Sequence, residues 1–81
     1  MGRYYRLSKK ITDDMATAIL NEINELDNVQ TAKMTEENKY LFVDTKDQQY
    51  PDVMTRALNI CSRLGGKCEL SFAGFEGGFQ P

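Results

Sequence analysis

Thr12-Asp13-Asp14-Met15 is the stretch with the most chemical potential, reached through Lys10-Ile11 from an aromatic-rich segment. It sets a hydroxyl, two carboxylates and a thioether where a helical pattern begins, and a helix start offers free N–H groups and a positive dipole end. The chemistry within reach is at most weak cation binding. Two adjacent carboxylates hold a hard cation only when further oxygens join them, and one thioether is a poor substitute for thiolates. The plainer roles are Thr12 as an N-cap, Asp13 and Asp14 as favourable charge in the first turn, and Met15 as a core residue. Cys61 and Cys68 are the two cysteines, and the chain has no histidine. Their spacing matches no zinc-finger or thioredoxin motif, and periodicity puts both inside as small hydrophobes. Neither a nucleophile–base pair nor a phosphate-cradling glycine loop assembles from these residues, so no catalysis is expected.

The elements that position these groups follow from hydrophobic period. Arg3 to Ser8 is aromatic-rich and partly alternating, as a strand requires. From Thr12 the period changes: Met15, Ile19, Ile23 and Leu26 line one face of a helix that should stop near Asp27-Asn28. Val29 to Met34 and Lys39 to Asp44 read as two strands joined by the polar turn Thr35-Glu36-Glu37-Asn38. Pro51 suits the first position of a second helix, whose buried stripe is Val53, Ala57, Ile60, Cys61 and Leu64 and whose end is Gly65-Gly66. Lys67 to Phe72 is the last strand, with Cys68, Leu70 and Phe72 on one side. The order predicts an α+β, ferredoxin-like βαββαβ two-layer sandwich, an antiparallel four-stranded sheet with two helices on one face. The domain is expected over residues 1–72, followed by a Gly/Phe-rich tail over 73–81 that is either a frayed end or a segment folded over Tyr40 and Phe42 or docked on another chain.

Composition narrows the function classes. Eighty-one residues, 41% of them hydrophobic, make one domain with a single core. A net charge of −2 and a pI near 5.0 argue against a partner gripped mainly through phosphates. No apolar run approaches the length of a membrane span, and two cysteines make no disulfide framework, so a cytoplasmic setting is expected.

Several packing positions together carry a resemblance. Tyr5-Arg6-Leu7, Leu26-Asp27-Asn28-Val29, Ala32-x-Met34, Tyr40-Leu41-Phe42-Val43 and the helix from Val53 to Gly66 resemble the heavy-metal-associated domain. That is the ferredoxin-like module of metal chaperones and of soluble tails on cation-transporting P-type ATPases. The resemblance runs from about Tyr5 to Phe72 and implies the same fold. Counting back from Val29, the family's metal-binding C-x-x-C falls on Thr12, Asp13, Asp14 and Met15, with Lys10 where the family commonly has a methionine. The two thiolates that select Cu(I) or bind zinc are absent from these positions, so the resemblance implies a degenerate metal site and no confident cofactor.

Strand alternation defines a second surface. With Tyr5, Leu7, Ala32, Met34, Leu41, Val43, Cys68 and Leu70 toward the helices, Tyr4, Arg6, Thr31, Lys33, Tyr40 and Phe42 face outward. Aromatics with a few cations on an open sheet suit a protein partner or self-association. The expected function is therefore a non-catalytic accessory or regulatory domain acting by protein interaction, tethered to a membrane transporter where the parent protein is longer. The alternative is a small nucleic-acid-binding module stacking bases on the aromatic face, against which the acidic pI counts.

Overall fold

The change of hydrophobic period at Thr12 is the first element boundary of the computed structural model, which describes residues 1–81. β1 spans Arg3–Leu7, and α1 spans Asp13–Asn24. β2 (Val29–Thr35) and β3 (Tyr40–Thr45) form the hairpin, α2 spans Pro51–Leu64, and β4 spans Leu70–Phe75. The sheet runs β2-β3-β1-β4 with every neighbour antiparallel. This is the ferredoxin-like βαββαβ arrangement, in which each helix crosses between strands that are not neighbours.

The stripe that forms α1 puts Ala16, Ile19 and Ile23 inside, the two isoleucines fully. Val53, Ala57, Ile60 and Cys61 do the same for α2, and both helices share one core with Leu7, Leu41 and Val43 on the facing side of the sheet. Burying four such aliphatic side chains as Ile19, Ile23, Leu41 and Val43 contributes roughly 1.5–3 kcal/mol each, which is what holds the two layers together.

Three local expectations are corrected. α1 stops at Asn24, capped by Glu25, rather than near Asp27-Asn28. Leu26 therefore reaches the core from a tight turn, in which its N–H donates to Ile23 O and its carbonyl accepts from Val29 N–H. β4 is shifted from 67–72 to Leu70–Phe75 because α2 is capped by Gly65 and the chain then passes through two left-handed residues, Gly66 and Lys67 (φ 65° and 68°), which cannot start a strand. Ala73, Gly74 and Phe75, expected in the tail, thus belong to the sheet. Phe72, expected inside, is 52% exposed on this outer strand, where its ring meets Phe75 and the edge of Tyr5. A register shift between Tyr4 and Tyr5 brings both Phe72 and Phe75 opposite helix-side residues of β1.

Candidate functional site

The loop before α1 is organised by its own cap. Thr12 is extended (φ −78°, ψ 163°), and its Oγ1 accepts from the Met15 N–H at 3.1 Å. Asp13 and Asp14 fall in the first turn, as the dipole favours. Asp13 Oδ1 accepts from Asn38 Nδ2 at 2.8 Å, which ties the helix start to the β2–β3 turn. That turn is tightly wound: Glu36, Glu37 and Asn38 all have φ between 53° and 68°. Met15 is half-buried against the core. No group of three or more His, Cys, Asp or Glu side chains is placed to hold a metal.

Beside the loop lies a groove of about 410 Å³ lined by Arg6, Lys9, Lys10 and Lys39 against the single carboxylate of Glu37, with Leu7, Ser8 and Asn38. Four cations to one anion make a surface that repels a metal cation approaching from this side. Lys10 and Lys39 remain exposed, while Lys9 Nζ donates to Gly66 O at 2.7 Å and so pins this loop to the end of α2.

Cys61 and Cys68 are fully buried, free thiols that flank Gly65, the cap of α2. Burial, with a smaller contribution from the neighbouring Cys68, pushes the Cys61 thiol up to about 12. A thiol held protonated in this way is a poor nucleophile and a poor metal ligand at Cys61, and both buried cysteines pack as small hydrophobes.

The open face of the sheet carries Tyr4, Arg6, Lys33, Tyr40 and Phe42, which cross-strand pairing brings together: Tyr4 opposite Phe42, Arg6 opposite Tyr40, Lys33 opposite Phe42. Arg6 and Lys33 are exposed, and Lys33 Nζ lies 5.2 Å from the centre of the Phe42 ring. Phe42 points to this side as expected, but it is only 5% exposed. The Tyr4 ring leans on it at 5.0 Å, and its own ring fills the space above Gly2, where a Cβ would lie 2.2 Å from Cζ. Phe79 covers Tyr4 in turn. The chain turns after Phe75, Gly78 N–H donating to Phe75 O, and folds Phe79 back so that it stacks on Tyr4 (4.2 Å, 15°) and meets Tyr40 edge-on (4.8 Å, 70°). The tail therefore lies over Tyr4 and Tyr40 rather than over Phe42.

No protein-family model matches the chain, and no curated protein matches it in sequence. One solved structure is similar over nearly its whole length: the solution structure of the N-terminal domain of a potential copper-translocating P-type ATPase from Bacillus subtilis, in the Cu(I)-loaded state. The TM-score is 0.72 at 15% identity, covering 99% of this chain and 95% of that one. The likeness is one of fold.

Gly2 was not singled out from the sequence, and Gly74 and Phe79 were read only as parts of the Gly/Phe-rich tail. A built Cβ on Gly74 would lie 3.2 Å from Phe79 Cδ1, so the ring rests on a bare stretch of β4. The readable signal is a glycine placed across from an aromatic residue in a paired strand, here Gly74 opposite Tyr4.

Proposed function

We propose that the chain is a non-catalytic accessory or regulatory domain of a cation-transport system, that it acts through protein contact on its open sheet face, and that its first loop is a degenerate metal site. In a longer parent protein it would be tethered to a transporter on the cytoplasmic side. The fold likeness to the N-terminal domain of a potential copper-translocating ATPase supports the transport context. The observation that carries the degenerate site is the state of Thr12: its Oγ1 is committed to the Met15 N–H, and its hydroxyl supplies no thiolate. Cu(I), the ion of that neighbour, does not fit a donor set of one hydroxyl, two carboxylates and a half-buried thioether beside a cationic groove.

The test is a competition titration of Cu(I) against a chelator with the wild type and with Thr12→Cys/Met15→Cys. The wild type should bind no better than a generic protein surface, and the double variant should gain a two-thiolate site at the helix start. Asp13 and Asp14 oppose the thiolates there, so the gain should stay modest. Tight wild-type binding would overturn the degenerate site. A folded double variant without any gain would break the correspondence between this loop and a C-x-x-C motif.

A further inference from the structure

The seat of Phe79 has three sides: the face of Tyr4, the edge of Tyr40 and the side-chain-free backbone of Gly74. We infer that this seat is a binding site for an aromatic side chain that a partner protein presents on an acidic, glycine-rich segment, and that the chain's own Glu76–Phe79 segment is the resident competitor. The inference rests on the reading that this domain works by protein contact, and it names the contact.

The way the tail is attached is what makes the seat exchangeable. Glu76 is fixed: its N–H donates to Gly2 O at 2.9 Å, and its carboxylate accepts from the Gly2 N–H at 2.9 Å. Phe79 is then held through Gly77 and Gly78, around which a built Cβ meets nothing within 4 Å. Beyond Glu76 the tail makes a single backbone hydrogen bond, Gly78 N–H to Phe75 O, at 3.2 Å. The ring therefore pivots on two unpacked glycines and surrenders only its own stacking when it leaves. Departure exposes Tyr4 and Tyr40, now half-buried, as a vacant aromatic pair.

The resident segment also states the chemistry of an external one. It is a phenyl ring preceded by two glycines and a glutamate. Two exposed cations, Arg6 and Lys33, stand on the same face, and neither is engaged in a salt bridge. An acidic segment is complementary to these cations of the open face, whereas a polyanion would meet a domain of net charge −2. A tail on a short flexible linker competes at an effective concentration of roughly millimolar, so the closed form masks the seat against weak external ligands and yields to a partner that adds contacts of its own.

The test is an NMR titration of the full chain, wild type and Phe79→Ala, with an end-capped Glu-Gly-Gly-Phe-Gln peptide and with the same peptide carrying Ala for Phe. The Phe79→Ala protein should respond to the phenylalanine peptide, with shifts centred on Tyr4, Tyr40 and Gly74, and should ignore the alanine peptide. The wild type should bind about tenfold more weakly. At saturating peptide the wild type's own Gly77, Gly78 and Phe79 amides should move to the positions of a free tail, a readout that does not depend on how well the variant folds. Equal binding by the two proteins, no response at the seat, or a response to a short single-stranded RNA in preference to the peptide would each overturn the inference. The Cu(I) titration is independent of this outcome, so a silent seat with a silent metal loop removes the aromatic site and leaves the degenerate-loop reading intact.

Discussion

The side-chain amide of Asn24 exchanges two hydrogen bonds with the backbone of Ala32: Nδ2 donates to the Ala32 carbonyl and Oδ1 accepts from the Ala32 N–H, each at 3.1 Å. β2 is an outer strand, so the outward N–H and C=O of Ala32 have no strand partner. The amide takes the place of one, and its second Nδ2 contact, to Leu20 O at 2.9 Å, holds it to the last turn of α1. One residue thus fastens a helix to a sheet edge and covers the middle of that edge.

Asn24→Ala should accordingly cost about 1–3 kcal/mol in a denaturant titration, since two partly buried backbone groups lose their partner. It should also uncover β2 as a template for edge-to-edge pairing. Faster growth of light scattering than in the wild type at equal fraction folded is the second readout. A loss below about 0.3 kcal/mol with unchanged scattering would mean that water replaces the amide without penalty.

Phe42 and Leu41 are neighbours in β3 that face opposite sides of the sheet, yet both are buried, at 5% and 0% exposure. Phe42→Ser should therefore destabilise by about 2–4 kcal/mol, and Leu41→Ser by at least as much. A free, solvent-exposed open face would instead leave Phe42→Ser close to neutral. Thermal denaturation of the two variants side by side decides between these outcomes.

How far the sequence reaches can be seen in where Phe42 and Ile19 differ. Ile19 and Ile23 announce their burial through the period of their own helix, a local signal. Phe42 is buried by Tyr4 across the strand pair and by its seat over Gly2, and Phe79 closes over Tyr4 from the far end of the chain, contacts to which strand alternation is blind. β4 fails for a related reason. Its Ser71, Ala73 and Gly74 have little strand preference, and its bounds are set by pairing with β1 and by the left-handed backbone at Lys67. The candidate loop was legible because it depends on neighbours: Thr12, Asp13 and Asp14 take the cap and first-turn roles that their spacing from Met15 predicts. The Asn24 clamp was not, since an asparagine at a helix end has many ordinary uses.

Cys61 gives a pH prediction with a definite sign. Its folded value, about 12, is raised above the ordinary 9.0, so the folded state holds the thiol proton more tightly than the unfolded chain. The corresponding stability is complete below pH 9.0 and is lost as the pH rises toward about 12. Between those limits the wild type should lose up to about 1.4 kcal/mol per pH unit more than Cys61→Ala, which carries the same tyrosines and lysines. Below pH 8 both cysteines should resist a thiol reagent until the protein unfolds. Parallel stability curves for the two proteins, or rapid native labelling, would remove Cys61 from the core.

Thr12 separates a cap from a ligand most directly. If its hydroxyl serves the Met15 N–H, Thr12→Ser keeps the bond and should be nearly neutral, whereas Thr12→Ala should cost about 1 kcal/mol. Asp13→Asn should cost less, because an amide oxygen still accepts from Asn38 while the favourable first-turn charge is lost. None of the three should alter the binding of Cu(I), Zn(II) or Mg(II), which calorimetry reads on the same samples. A ligand would produce the opposite pattern: Thr12→Ala and Asp13→Asn would leave the apo protein almost as stable and would abolish a heat of binding seen in the wild type. Because the cap is lost whenever Thr12 is replaced by cysteine, the stability of Thr12→Ala also sets the baseline for the two-cysteine variant. A weakly bound metal in that variant counts against the loop only after its helix start has been shown, by amide exchange at Met15 and Ala16, to be formed.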